Sequence, residues 1–199
     1  LDANDVYFFG HSLGTINGIP FVAVANDSAT NTDDIVAANM LTPGGGITRL
    51  LENSPNFAPS ILGGLGQLGL TQETSSFQTY MNVLQATLDS ADPSNFVQDF
   101  AGKTPILFTE VIGDTTIPNS VDEASEVLGL GSISFLSGTE PLAVESNSSS
   151  LTGSGALTQN IVRYTEGNHG TPAFPSTGTP EETAAFAEMV RQGVSIIVS

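Results

Sequence analysis

Short apolar runs that alternate with helical segments constrain the fold of this chain more than any other feature. The runs are rich in β-branched and aromatic residues and are bounded by turn-forming residues, which is typical of buried strands in a parallel sheet. They cover residues 6–9, 35–41, 105–112 and 159–164. Apolar spacing predicts helices over residues 13–25, 47–52, 72–88, 121–128 and 181–198. Because strands that alternate with helices form parallel sheets, the sequence predicts an α/β fold.

The segment GHSLG, residues 10–14, joins the first predicted strand to the first predicted helix. It matches G-x-S-x-G in the strand–turn–helix context of a nucleophile elbow. Such a turn projects the serine hydroxyl from the sheet at a helix N-terminus, and the flanking glycines are expected to let neighbouring backbone approach closely. The pattern predicts Ser12 as a nucleophile and the Leu13 backbone N–H as an oxyanion donor. Further along the helix, Gly18 and Pro20 are expected to bend or shorten it.

A serine hydroxyl needs a base to take its proton, and the chain has two histidines. His11 lies beside the proposed nucleophile, and at such a turn its side chain is expected to point away from the serine oxygen. His169 follows the last predicted strand within a Gly-Asn-His-Gly-Thr-Pro loop, residues 167–172. The sequence therefore predicts His169 as the general base.

The acid that orients this histidine is expected after a strand, between the nucleophile and the base in chain order. Asp114 follows the strand predicted over residues 105–112 and begins a loop that Pro118 stiffens. It is predicted to hold the imidazole tautomer and to stabilise the imidazolium. The weaker alternatives either precede a strand or lie in a late Ser/Gly-rich loop, residues 137–154; they are Asp33, Asp34, Glu140 and Glu145.

An oxyanion hole of this type needs a second N–H, from a loop that follows an earlier strand. No such loop precedes Val6. The strand over residues 6–9, which is normally central, would then be an apolar sheet edge. We therefore expect a further polypeptide segment, covalent or in trans, to supply the earlier strands.

Residues 54–99 lie between two predicted core strands and have the texture of a cap or lid insertion. Residues 61–70 are apolar but interrupted by glycine, which favours a flexible surface suited to acyl chains. An ordinary core-packing insertion is the alternative. The large apolar side chains of this segment either line an acyl pocket or fill the core, and the sequence leaves both open for Phe57, Phe77, Tyr80 and Met81.

The charge balance excludes several classes of partner. The chain has 21 acidic and 4 basic residues, for a formal net charge of −17. Nucleic-acid binding and attraction to an anionic bilayer both need clustered Lys and Arg, so neither is expected. The absence of cysteine excludes thiolate zinc sites, and two histidines disfavour a multi-histidine metal site. We expect no metal and no organic cofactor, and no apolar run is long enough to span a membrane.

The elbow, the Gly-Asp-Thr-Thr-Ile-Pro-Asn loop at residues 113–119 and the Gly-Asn-His-Gly-Thr-Pro loop together resemble the bacterial extracellular lipases of the Pla-1/cef, or virulence-factor, family. The resemblance covers most of the chain, as the C-terminal part of a longer protein. It implies the later strands of an α/β-hydrolase fold, with residues 1–199 as the catalytic domain and residues 54–99 as its cap. Thr15 departs from the second glycine that many lipase elbows carry here.

The resemblance further implies a secreted or cell-surface lipase or esterase with the triad Ser12, Asp114 and His169. Its substrate would be a neutral acyl ester or lipid, cleaved through an acyl-serine intermediate. A phospholipase or acyltransferase with the same triad is one alternative. A catalytically silent interaction module of the same fold is another.

Overall fold

The computed structural model describes residues 6–27, 35–96, 104–119 and 160–198. The predicted helix over residues 121–128 and the Ser/Gly-rich loop over residues 137–154 lie outside the described residues. The alternative acids lie outside them too; these are Asp33, Asp34, Glu140 and Glu145.

The described residues form a four-stranded parallel sheet in the spatial order β1-β2-β3-β4. The strands are β1 (Tyr7–His11), β2 (Ala37–Leu41), β3 (Ile106–Val111) and β4 (Asn160–Tyr164). In the register, Gly10 is opposite Met40, and Met40 is opposite Phe108. Each predicted apolar run corresponds to one strand, with bounds that differ by at most two residues. The prediction of an α/β fold with a parallel sheet is confirmed.

Helices cover both faces of this sheet. Successive side chains of each strand point to opposite faces, and the strands carry buried apolar side chains on both. The described helices are α1 (Leu13–Ala25), α2 (Ile47–Asn53), α3 (Ala58–Gln67), α4 (Ser75–Leu88) and α5 (Pro180–Val198). On one face, α1 packs through Ile19 and Val22 on Met40 and Phe108. On the other face, α5 packs through Ala185 and Met189, and that core is completed by Leu107, Val111, Val162 and Tyr164.

Helix α1 runs unbroken through both residues that were expected to bend or shorten it. Pro20 lies inside the helix, whose bounds are those predicted. Gly18 is where the helix meets the sheet, because a Cβ there would lie 2.3 Å from Cζ of Phe8. The glycine therefore serves close packing, and the expected shortening was wrong.

Residues 54–96 are largely helical, and α4 lies within the helix predicted over residues 72–88. Helix α3 covers most of the glycine-interrupted segment, and its Leu65 packs on Phe77 and Met81 of α4. Phe77 and Met81 are fully buried in this contact and fill a core. No described helix is both long and apolar enough to cross a membrane.

Candidate active site

Ser12 lies at the junction of β1 and α1 in a backbone conformation that residues other than glycine rarely adopt. Its φ is 54° and its ψ is −121°; such a conformation costs on the order of 1–3 kcal/mol and persists only where the surrounding structure holds it. Its N–H donates to the Leu41 carbonyl (2.9 Å), and its own carbonyl accepts from the N–H groups of Thr15 and Ile16. The strand on one side and the first turn of α1 on the other therefore fix the serine.

The two glycines of the elbow differ in what they do. A Cβ on Gly10 would lie 2.9 Å from the Gly14 carbonyl oxygen and 2.8 Å from the Phe8 ring. A Cβ on Gly14 would meet no described atom within 4 Å. The expectation that flanking glycines permit close backbone approach is correct for Gly10. It is wrong for Gly14 among the described residues.

Asp114 follows β3 after the turn residue Gly113, whose φ is 81°. Its side chain is 1% exposed. Its Oδ1 accepts from the backbone N–H groups of Thr116 (2.7 Å) and Ile117 (3.0 Å). These two bonds fix the orientation of the carboxylate and leave Oδ2 directed at His169.

His169 lies in the loop after β4 and contacts both other predicted residues. Its Nδ1 is 2.7 Å from Oδ2 of Asp114, and its Nε2 is 2.8 Å from Oγ of Ser12. An ionised carboxylate only accepts hydrogen bonds, so Nδ1 carries the proton and the lone pair of Nε2 faces the hydroxyl. The structure thus brings together Ser12, Asp114 and His169, which the sequence predicted as a triad.

Glu182, in the first turn of α5, organises the loop that carries His169. The residue is buried, and its carboxylate accepts hydrogen bonds from the Asn168 amide, the Thr171 hydroxyl and the Thr177 hydroxyl and N–H. The N–H groups of Ser176 and Gly178 also donate to it. The Thr171 hydroxyl in turn accepts from the Asn168 N–H (2.9 Å). The hydrogen bonds from Thr171 and then Thr177 lower the pKa of Glu182 to about 2.

Neither this role of Glu182 nor a contact of His11 was predicted from the sequence. Thr179-Pro180-Glu181-Glu182 has the spacing of a capping box, and the Glu182 N–H does donate to the Thr179 hydroxyl (3.2 Å), so this signal was present. His11 was expected to point away from the serine oxygen. Its Nε2 lies 2.8 Å from the carbonyl oxygen of His169, a contact that is compatible with this expectation and that no local pattern indicates.

An apolar pocket of about 370 Å³ opens beside Ser12. Most of its lining comes from α1 and α2; the lining residues besides Ser12 are Leu13, Ile16, Asn17, Ile47, Leu50, Leu51, Phe57, Leu88, Ala91 and Ile117. Of the two alternatives that the sequence left open for Phe57, a pocket or the core, the structure supports the pocket. Leu13 is the first residue of α1, where backbone N–H groups have no acceptor within the helix. Its amide therefore has no acceptor within α1.

Within the described ranges, no three His, Asp or Glu side chains lie together as metal ligands would. No protein-family model, curated protein or solved structure matches this chain. Its function is therefore inferred from its own residues.

Proposed function

We propose that this chain is the catalytic part of a serine carboxylic-ester hydrolase of the α/β-hydrolase type. One observation carries the proposal: Asp114, His169 and Ser12 form a continuous hydrogen-bonded chain with contacts of 2.7 and 2.8 Å. Ser12 and His169 are 157 residues apart in the sequence. The order nucleophile, acid, base and the strained elbow that presents the serine both support this assignment.

The geometry suits acyl transfer to water in two steps. His169 Nε2 takes the Ser12 proton as Oγ attacks the ester carbonyl, and the Leu13 N–H stabilises the oxyanion that forms. Collapse breaks the ester C–O bond, and His169 returns the proton to the leaving alcohol. Water then attacks the acyl-serine while His169 takes its proton, and Ser12 leaves with that proton as the carboxylic acid departs. Asp114 stabilises the imidazolium in both steps.

The pocket beside Ser12 supports a neutral ester with an apolar acyl chain. Pockets that bind small molecules are lined mainly by apolar side chains with a few convergent polar groups, as this one is. A net charge of −17 disfavours polyanionic substrates. In keeping with the lipase resemblance, we place the protein outside the cell or at its surface and assign residues 54–99 as a cap.

The surface around β1 supports the proposal that a further polypeptide segment completes the sheet. Within the described residues, β1 pairs with β2 alone. Phe9 is 61% exposed, and exposed apolar side chains flank the strand on both faces; they are Phe21, Val24, Val190 and Val194. Such an edge invites pairing with another strand. Light scattering that shows the 199-residue chain to be a stable monomer by itself would contradict this part of the proposal.

A fluorophosphonate probe tests the function directly, because it forms a covalent bond to an activated serine. We expect labelling of the wild-type protein on the peptide that contains Ser12, and hydrolysis of p-nitrophenyl esters. Ser12→Ala and His169→Ala should abolish both, while Ser60→Ala, at an exposed serine of α3, should change neither. Labelling that persists in Ser12→Ala would refute the proposal.

A further inference from the structure

We propose that His11 is a positioning residue, which holds the backbone of His169 at the distance from Ser12 that proton transfer needs. This inference rests on the proposed function, since it assigns a role within the same site. It concerns a contact between main chain and side chain that lies outside the triad itself.

The location of His11 ties it to the nucleophile. It is the last residue of β1, it is opposite Leu41 in the parallel register, and it directly precedes Ser12. Side chains alternate along a strand, so His11 lies on the same sheet face as Tyr7, which packs in the core that α5 covers. The loop of His169 leads into α5 on that face. The His11 ring is therefore held by a strand end and directed toward the base.

The contact itself has a defined direction. Nε2 of His11 lies 2.8 Å from the carbonyl oxygen of His169, and the two rings lie 5.1 Å apart with a tilt of 37°. A carbonyl oxygen only accepts hydrogen bonds, so Nε2 of His11 carries a hydrogen and is the donor of this hydrogen bond. His11 thus binds the main chain of the base and leaves both ring nitrogens of His169 free for Asp114 and Ser12.

This bond matters because His169 belongs to a long connection. Residues 165–179 contain no helix or strand. Glu182 and Thr171 hold this loop against itself and against α5, whereas the bond from His11 joins it to the end of β1, beside the nucleophile. The separation of the serine and imidazole backbones therefore depends on the His11 bond. A displacement of about 1 Å in a catalytic group can reduce the rate by about 100-fold.

Three substitutions of His11 distinguish its role as a hydrogen-bond donor from the packing of its ring. His11→Phe keeps an aromatic ring but has no N–H donor. His11→Gln carries an amide N–H at a distance from Cα close to that of Nε2, and His11→Asn carries one too near Cα to reach. We expect kcat for p-nitrophenyl butyrate to fall about tenfold in His11→Phe and His11→Asn, as for the loss of one neutral hydrogen bond, with KM unchanged. His11→Gln should recover kcat to within about threefold of wild type.

The outcomes distinguish this inference from the proposed function. Active sites are first counted with the fluorophosphonate probe, so that kcat refers to folded protein. If wild type is labelled at Ser12 and His11→Phe has wild-type kcat, the positioning role is overturned and the hydrolase proposal stands. If His11→Phe does not fold, the Gln and Asn variants decide, and equal kcat in those two overturns the role. If wild type is neither labelled nor active, both proposals fail.

Discussion

Oδ2 of Asp114 lies 2.7 Å from Nδ1 of His169, while Oδ1 of the same carboxylate accepts two backbone N–H bonds. The two oxygens therefore have different partners. The atom at the position of Oδ1 must accept hydrogen bonds from the backbone, and the atom at the position of Oδ2 sets the tautomer of the His169 imidazole. This asymmetry determines what an amide in place of the carboxylate would do.

Asp114→Asn should leave the fold intact and remove most of the activity. The amide oxygen will occupy the side that accepts from Thr116 and Ile117, so the NH₂ group will face His169. Nδ1 must then accept, Nε2 carries the proton, and His169 cannot take the Ser12 proton. We expect kcat to fall about 10⁴-fold with a small change in KM. Kinetics with p-nitrophenyl butyrate measures this, and Asp89→Asn, at an exposed aspartate of the α4 C-terminus, is the control.

The elbow glycines should respond in opposite ways to alanine. Gly10→Ala forces a Cβ to within 2.9 Å of the Gly14 carbonyl oxygen, which requires the backbone to move. We expect the free energy of unfolding to fall by about 1–3 kcal/mol and labelling of Ser12 to weaken. Gly14→Ala places its Cβ in open space and favours the helix, so stability should be unchanged or higher. Urea denaturation of both variants tests this, and equal losses would contradict it.

The meeting of the triad could be predicted because each member follows a strand. Ser12, Asp114 and His169 come after β1, β3 and β4, and the carboxyl ends of parallel strands lie at the same edge of a sheet. Strand order along the chain was therefore enough to predict that these three residues lie together. The distances between their atoms required the structure.

Features that depend on tertiary packing could not be predicted from local patterns. Helix α3 forms across three glycines because Leu65 packs on Phe77 and Met81, although propensity alone disfavours a helix there. The contact of His11 depends on how the loop over residues 165–179 folds back, and such a loop has no periodicity to read. The Glu182 network depends on the same loop.

The acyl pocket should set chain-length preference. Ala91 lines the pocket, so Ala91→Phe fills part of its volume of about 370 Å³. We expect kcat/KM for p-nitrophenyl decanoate to fall at least about tenfold relative to p-nitrophenyl butyrate, because the longer chain loses its apolar contacts. Ala86→Phe, at an exposed position of α4 outside the pocket, is the matched control. A decanoate-to-butyrate ratio unchanged by Ala91→Phe would place the acyl chain elsewhere.

Glu182 should make the stability of the His169 loop depend on pH. Hydrogen bonds from Thr171 and Thr177 lower the pKa of Glu182 in the folded protein from 4.5 to about 2. As the pH falls below about 4.5, the unfolded chain takes up a proton that the folded chain does not. The stabilisation is therefore complete above that pH and is lost progressively between about pH 4.5 and pH 2.

Glu182→Gln tests this dependence, because the six contacts of the carboxylate are all donors and an amide NH₂ cannot accept from them. We expect the variant to be less stable than wild type at pH 7, with a difference that shrinks as the pH is lowered toward 3. Glu181→Gln, at the exposed neighbouring glutamate, should lack this trend. Urea denaturation at several pH values measures it. A difference between wild type and Glu182→Gln that stays constant from pH 7 to pH 3 would show that the ionised carboxylate does not hold the loop.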